Sequence, residues 1–239
     1  MSKWIIGDVH GCYDTLLALI NKLPKEAEIV FVGDLIDRGE NSKKVIKLIR
    51  DNNYLCVLGN HEEMMIDAIK ELKEGWKITS TGWSFNGYAP TMESYNRDFD
   101  NKDLLNDIEW LKTLPKYLKF DEEDEKGRKL IVSHAPCLDE FQNVLDLDYI
   151  DDGYFLWNRK IPKIKQDEYF NIFGHNIVKY FIYNKCKELK IDRSILKKDG
   201  TLLDINIGYA DIDTGCFDNG MLSAIEFPSM KVIQQKNIE

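Results

Sequence analysis

Through the first third of the chain, short apolar runs alternate with longer stretches of helical periodicity, and this alternation most narrows the folds available. KWIIG (3–7), IVFVG (29–33) and YLCVLG (54–59) read as strands. YDTLLALINKL (13–23), SKKVIKLIRDN (42–52) and EEMMIDAIKELKEG (62–75) carry apolar residues at helical spacing. Such an order builds right-handed βαβ units and a parallel sheet.

The rest of the chain breaks this rhythm. Residues 76–99, rich in aromatics, Gly, Ser and Thr, read as a lid or pocket wall covering about 75–100 of a single domain spanning 1–239. After a helical pattern at 101–114, YLKFDEEDEKGRKLIVSH (117–134) predicts a hairpin turning at Gly127, its acidic tip solvated. YFNIFGH (169–175), LLDINIG (202–208) and MLSAIEF (221–227) predict three further strands, followed by a short KVIQQ (231–235). With little helix between these late strands, a second, partly antiparallel sheet is expected to pack on the first.

Composition removes several function classes. The 239 residues are 44% hydrophobic and carry a formal charge of −9. This balance allows a sizeable core but not the basic surface that nucleic-acid polymers require. The N-terminal MSKWIIGDVHG has too short an apolar run for a signal or anchor, and no run approaches the roughly 20 residues of a membrane helix. Five cysteines (12, 56, 137, 186, 216) with no Cys-x-x-Cys pair fit free thiols in a reducing cytoplasm. Cys12, Cys137 and Cys216 lie near motif segments, where burial as small hydrophobes is expected before any redox role.

All four histidines, 10, 61, 134 and 175, follow apolar strands by a few residues. Ligands of helix-covered sheets collect beyond the carboxyl ends of the strands. Asp8 and His10, two apart, leave the chain on one side; Asp34 ends the second strand, and Asn60 with His61 the third. His134 and His175 arrive from later strands. Carboxylate, imidazole and amide oxygen together suit Mn, Fe or Zn better than Ca. Six ligands, Asp8, His10, Asp34, Asn60, His134 and His175, are too many for one open ion and about right for two bridged by a carboxylate and a hydroxide. Two divalent cations against two carboxylates and a hydroxide leave the centre positive inside an acidic protein, which suits a phosphate.

The blocks GDVHG, GDLIDRG, GNHE, SHAP and GHN, in that order across residues 7–176, resemble those of the calcineurin-like metallophosphoesterases. Within them the chain resembles the phosphoprotein-phosphatase branch, especially bacterial and bacteriophage-lambda-type Ser/Thr phosphatases, and the related symmetrical diadenosine tetraphosphate hydrolases. The resemblance implies an α/β fold of two mixed sheets packed as a central sandwich flanked by helices. It implies that Asp8, His10 and Asp34 hold one metal, and that Asp34, Asn60, His134 and His175 hold the other, with Asp34 bridging. Arg38, Asn60 and, through LWNR (156–159), Arg159 would bind the substrate phosphate, and His61 oriented by Asp37 would be the general acid. The expected cofactors are two divalent ions, manganese first, with iron or zinc as alternatives.

The expected reaction is in-line attack by the bridging hydroxide on a phosphorylated protein or peptide. A dinucleoside tetraphosphate is the alternative substrate, and a non-catalytic metal scaffold a remote third reading. Two departures stand out: Pro136 where many relatives have glycine, and Tyr88 where a bacterial subgroup has glycine. Trp83, Tyr88 and Tyr95 are open to two readings, stacking against a ligand or core of the lid. Asp213-Thr214-Gly215 resembles a further block and is read as structural.

Overall fold

The computed structural model describes residues 2–137, 152–180 and 195–239, and among them ten strands form two five-stranded sheets. In the first sheet β1 (Lys3–Ile6), β2 (Glu28–Phe31) and β3 (Leu55–Cys56) run parallel, with α1 (Tyr13–Ile20) and α2 (Ser42–Asp51) as the crossovers. Helix α3 (Asn60–Lys73) follows β3, then two 3₁₀ turns, α4 (Tyr88–Ser94) and α5 (Lys102–Leu111). The second sheet is built from β4 (Tyr117–Glu123), β5 (Lys129–Ser133), β6 (Tyr169–Phe173), β7 (Leu202–Asp204) and β8 (Tyr209–Asp211), in the order β4-β5-β6-β8-β7. Its three central strands are parallel and its two edges antiparallel. Helix α6 (Asp152–Trp157) lies between β5 and β6 in the chain.

The apolar runs without polar alternation are explained by burial on both faces. Ile5, Val30 and Val32 point inward and meet Leu130, Val132, Phe170, Ile172 and Ala210 of the second sheet. Their neighbours Trp4, Ile6, Ile29 and Phe31 point outward into a cluster with Leu16, Val45, Ile46, Met65 and Ile108 of the helices. Alternate residues thus serve two cores. Truncating an inward residue such as Ile5 to alanine costs about 2–5 kcal/mol.

Three sequence expectations are corrected. MLSAIEF (β9, Met221–Phe227) does not belong to the second sheet: it pairs antiparallel with β1, and β10 (Val232–Lys236) pairs with β9 at the first sheet's edge. LLDINIG is not one strand: β7 stops at Asp204, whose Oδ1 accepts from the amides of Asn206 and Ile207 and folds the chain into a turn that Gly208 completes at φ 111° before β8 begins at Tyr209. Asn60 and His61 begin α3 instead of ending a strand; Gly59 is its N-cap, with the Glu62 side chain folded back onto the Gly59 amide. Cys186 lies outside the described residues. No helix among the described residues is long and apolar enough to cross a membrane.

Candidate active site

The loops leaving β1, β2, β3, β5 and β6 converge at the carboxyl edge of both sheets, and α1, α2 and α3 begin directly after three of them. Helix N-termini gathered in this way favour anions. Five residues of these loops hold the left-handed backbone region that disfavours side chains: His10 (φ 47°), Asp34 (50°), Asp37 (71°), Arg38 (68°) and His175 (69°). Each costs about 1–3 kcal/mol, which packing must offset. Close approach completes the crowding. A Cβ on Gly59 would collide with the Asp34 amide and carboxylate, and one on Gly174 with the Asp8 carboxylate.

Two clusters of three buried donors lie within 4.8 Å of one another: Asp8, Asp34 and His134, and His10, Asp34 and His61. Asp34 belongs to both. His10 Nδ1 meets the Ile36 carbonyl at 2.9 Å and His134 Nδ1 the Val32 carbonyl at 2.9 Å. A carbonyl only accepts, so each Nδ1 carries the proton and each Nε2 is a bare lone pair. Those lone pairs face oxygens: His10 Nε2 lies 3.5 Å from Asp34 Oδ2, and His134 Nε2 lies 3.4 Å from Asp34 Oδ1 and 2.8 Å from Asn60 Oδ1. His175 Nδ1 joins the second group, 3.1 Å from both His134 Nε2 and Asn60 Oδ1, and its Nε2 is buried without a partner. Acceptors converging on acceptors in a buried space match a cation, and this donor chemistry fits divalent ions.

Charge states separate the four imidazoles. Burial, then the Arg38 guanidinium, lowers His10 well below its usual value. Burial lowers His134, and burial with the neighbouring His134 and Arg159 lowers His175 to about 2. His61 moves the other way. Burial opposes its charge, but Asp34 and the hydrogen bond and charge of Asp37 outweigh it. Its Nδ1 lies 2.6 Å from Asp37 Oδ2. Asp37 is fully buried and accepts from Trp83 Nε1 (2.8 and 3.0 Å) and Thr91 Oγ1 (2.7 Å).

The carboxylates divide too. Asp34 is held ionised, its burial penalty outweighed by the surrounding imidazoles. Asp8 is pushed well up by burial and by the charges of Asp213 and Asp34, and burial lifts Asp213 to about 6. Glu62, fully buried beneath the site, accepts the amides of Asp34, Leu35, Ile36 and Gly59. Burial raises it to about 8. Its carboxyl therefore fixes the backbone that carries Asp34.

Above these groups opens a cavity of about 320 Å³. Arg38 spans its floor, with Nη1 2.6 Å from His10 Nε2 and Nη2 3.0 Å from His61 Nε2. Arg159 reaches the same cavity, donating to the His175 carbonyl (3.3 Å) and Asn176 Oδ1 (3.1 Å). Asn86, Trp157, Ile177 and Tyr180 line its wall. All ten residues singled out in the sequence, Asp8, His10, Asp34, Asp37, Arg38, Asn60, His61, His134, Arg159 and His175, are thus brought to one place.

The lid aromatics are not there. Trp83 and Tyr95 are fully buried, Tyr95 bonded to Asp107, and half-buried Tyr88 packs on Trp83. Their core reading holds, and Trp83 gains a role the sequence reading missed, as a donor to Asp37. Thr91 and Glu62 were also missed. The available signal was chemical: a buried Asp37 needs donors, and the only long polar-aromatic segment nearby in the chain supplies them. Cys12, Cys56, Cys137 and Cys216 are free and buried, and burial pushes the Cys137 thiol up to about 12.

Comparison with known proteins agrees with this architecture. Residues 1–203 match the calcineurin-like phosphoesterase family. A serine/threonine-protein phosphatase 2 of Salmonella typhimurium is 30% identical over 74% of the chain and 80% of its own length. A symmetrical bis(5'-nucleosyl)-tetraphosphatase of Wigglesworthia glossinidia brevipalpis is 32% identical over 74% of the chain, which spans 62% of that protein. Among solved structures, a serine/threonine phosphatase of Saccharomyces cerevisiae aligns with the whole chain and 81% of its own, at a TM-score of 0.56 and 14% identity, a likeness of fold.

Proposed function

The chain belongs to the calcineurin-like phosphoesterase family and is a metal-dependent phosphatase, and we propose that it hydrolyses phosphomonoesters, phosphoserine and phosphothreonine of proteins first among them. In this reading Asp8, His10 and Asp34 hold one divalent ion, and Asp34, Asn60, His134 and His175 the other. Manganese is the ion to test first, with iron or zinc next, and a reducing cytoplasm suits the buried free thiols. Bound there, two such cations would neutralise phosphoryl oxygens and acidify a nearby water.

The observation that carries the reading is the division among the histidines. Burial lowers three of them, favouring neutral rings whose nitrogens can ligate cations, and His61 alone is raised, beside a buried carboxylate. Environments that drive like groups apart assign them different tasks. His61 Nε2 faces the cavity edge 3.0 Å from Arg38 Nη2, which occupies its lone pair; once Arg38 turns to a phosphate, Nε2 can carry a proton and donate it to a leaving oxygen while Asp37 holds the ring's orientation. Arg38 and Arg159 supply planar forks for the non-bridging oxygens, and Arg38 has further N–H groups beyond the two engaged. Residues 75–100 act in the same domain as the wall that holds Asp37 and Arg38.

The cavity, about 320 Å³ and open on one side, accommodates a phosphoryl group and a short side chain. A dinucleoside tetraphosphate has one observation in its favour, the exposed faces of Trp157 (43%) and Tyr180 (47%) at the rim, on which a base can stack. One assay decides. Purified protein with manganese is expected to turn over p-nitrophenyl phosphate and a phosphoseryl peptide; a higher kcat/KM for diadenosine tetraphosphate than for the peptide would overturn the choice of substrate.

A further inference from the structure

Loop 213–220 between β8 and β9 carries the Asp213-Thr214-Gly215 block, read above as structural, and it returns to the site through one side chain. The half-buried Phe217 places its ring 4.3 Å from the Arg38 guanidinium carbon, and its edge meets His10 at 5.0 Å between centroids and 82° between planes. We propose that Phe217 is the positioning residue for the Arg38 phosphate arm, holding its guanidinium over the cavity floor through a cation–π contact. The inference rests on the reading of Arg38 as a phosphate ligand.

Arg38 needs such a brace. Its backbone is in the left-handed region, and its amide donates to the Gly87 carbonyl at 3.0 Å. A Cβ on Gly87 would come within 2.9 Å of Arg38 Cγ, so the lid closes one side of the side-chain stem. Phe217 closes the guanidinium end. An arginine has several flexible torsions, and one already ordered spends less of its binding energy on immobilisation when phosphate arrives.

The loop is itself fixed, which a positioning device requires. Asp213 Oδ1 accepts the Gly215 amide, and the Gly215 carbonyl accepts the amides of Asp218 and Gly220, each at 3.0 Å. Gly215 (φ 72°) and Asn219 (φ 55°) take left-handed backbone to make the turn. Asn237 Nδ2, beyond β10, donates to the Cys216 carbonyl at 2.7 Å and anchors the residue before the ring. Asp213-Thr214-Gly215 therefore serves the site at one remove.

The test measures inhibition of p-nitrophenyl phosphate hydrolysis by inorganic phosphate in the manganese-loaded protein, for wild type, Phe217→Leu, Phe217→Tyr, Arg38→Ala and the Phe217→Leu/Arg38→Ala double variant. Leucine keeps bulk and removes the π face. Phe217→Leu is expected to raise the phosphate Ki and the substrate KM by about 5- to 30-fold with kcat little changed, the span of a cation–π contact. Phe217→Tyr restores both to within about twofold, and in the Arg38→Ala background Phe217→Leu has no further effect. An unchanged Ki in Phe217→Leu, an equal loss in both backgrounds, or failure of tyrosine to rescue overturns the inference while the role of Arg38 stands. An unchanged Ki in Arg38→Ala overturns that role, and this inference with it.

Discussion

His61 Nδ1 and Asp37 Oδ2 are 2.6 Å apart, both side chains are buried, and Trp83 and Thr91 donate to the same carboxylate. The pair is thus assembled from three regions distant in the chain. His61 comes from α3, Asp37 from the loop after β2, and the donors from residues 81–95.

Replacing His61 by alanine removes the proton donor but not the leaving-group chemistry of an activated ester. Hydrolysis of an alkyl or seryl phosphate is expected to fall by about 10²- to 10⁴-fold, and that of p-nitrophenyl phosphate, whose leaving oxygen needs no proton, far less. Steady-state kcat on the two substrates measures it. Equal losses would end the general-acid assignment.

Trp83→Phe keeps the packing of a fully buried ring and deletes one donor to Asp37. A lost hydrogen bond to a charged group costs about 1.5–3 kcal/mol, readable in urea denaturation. Asp37 then orients His61 less well, so seryl-phosphate turnover falls more than p-nitrophenyl phosphate turnover. A stability loss with the substrate ratio unchanged would make Trp83 a packing residue only.

Manganese affinity is expected to rise with pH. Burial holds Asp8 well above its ordinary 3.8 and Asp213 at about 6, so both bind protons more tightly than a free carboxyl, whereas His10, His134 and His175 are lowered from 6.5 and compete less for the cation's place. A cation held by Asp8 must displace its proton, and it is attracted further once Asp213 ionises, so Kd falls as pH rises from about 5.5 to 7.5. In the metal-free protein each raised carboxyl is favourable only while protonated: its contribution is complete below pH 3.8 and is lost as pH rises through the folded value. The thermal shift on adding manganese should therefore be larger at pH 7.5 than at 5.5. Titration calorimetry showing a flat Kd would refute this account.

Glu62→Ala strands four buried amides, those of Asp34, Leu35, Ile36 and Gly59. The expected cost is at least about 3 kcal/mol in urea, with loss of activity as the Asp34 loop relaxes. Glu62→Gln keeps one accepting oxygen but sets an NH2 group, which cannot accept, against two of those amides, so it should cost less than alanine without being neutral. Equal damage by the two substitutions would show that one accepting oxygen does not hold the loop.

Asp8, His10, Asp34, His134 and His175 were legible in the sequence because each follows its strand within four residues, so strand periodicity alone brings them to one edge. Asn60 and His61 were legible as site residues but not as helical ones. A glycine N-cap gives no strong local signal, and the box is closed by Glu62, whose partners lie partly on another loop. Trp83 and Phe217 were not legible as site partners: what they touch is 46 positions away in one case and far across the chain in the other. The assignment of β9 to the first sheet failed for the same reason. Its alternation fits either sheet, and only the free edge of β1 decides.

That edge has a consequence for synthesis. β1 leaves the ribosome long before its antiparallel neighbour, residues 221–227. Until then β1 has β2 on one side and an open row of amides and carbonyls on the other, the arrangement that invites pairing with a foreign strand. Contacts so far apart in the chain form slowly. A nascent or truncated chain ending before residue 221 is left with a fully buried strand of its core as an open edge, and the Asp8–His10 loop hangs from that strand.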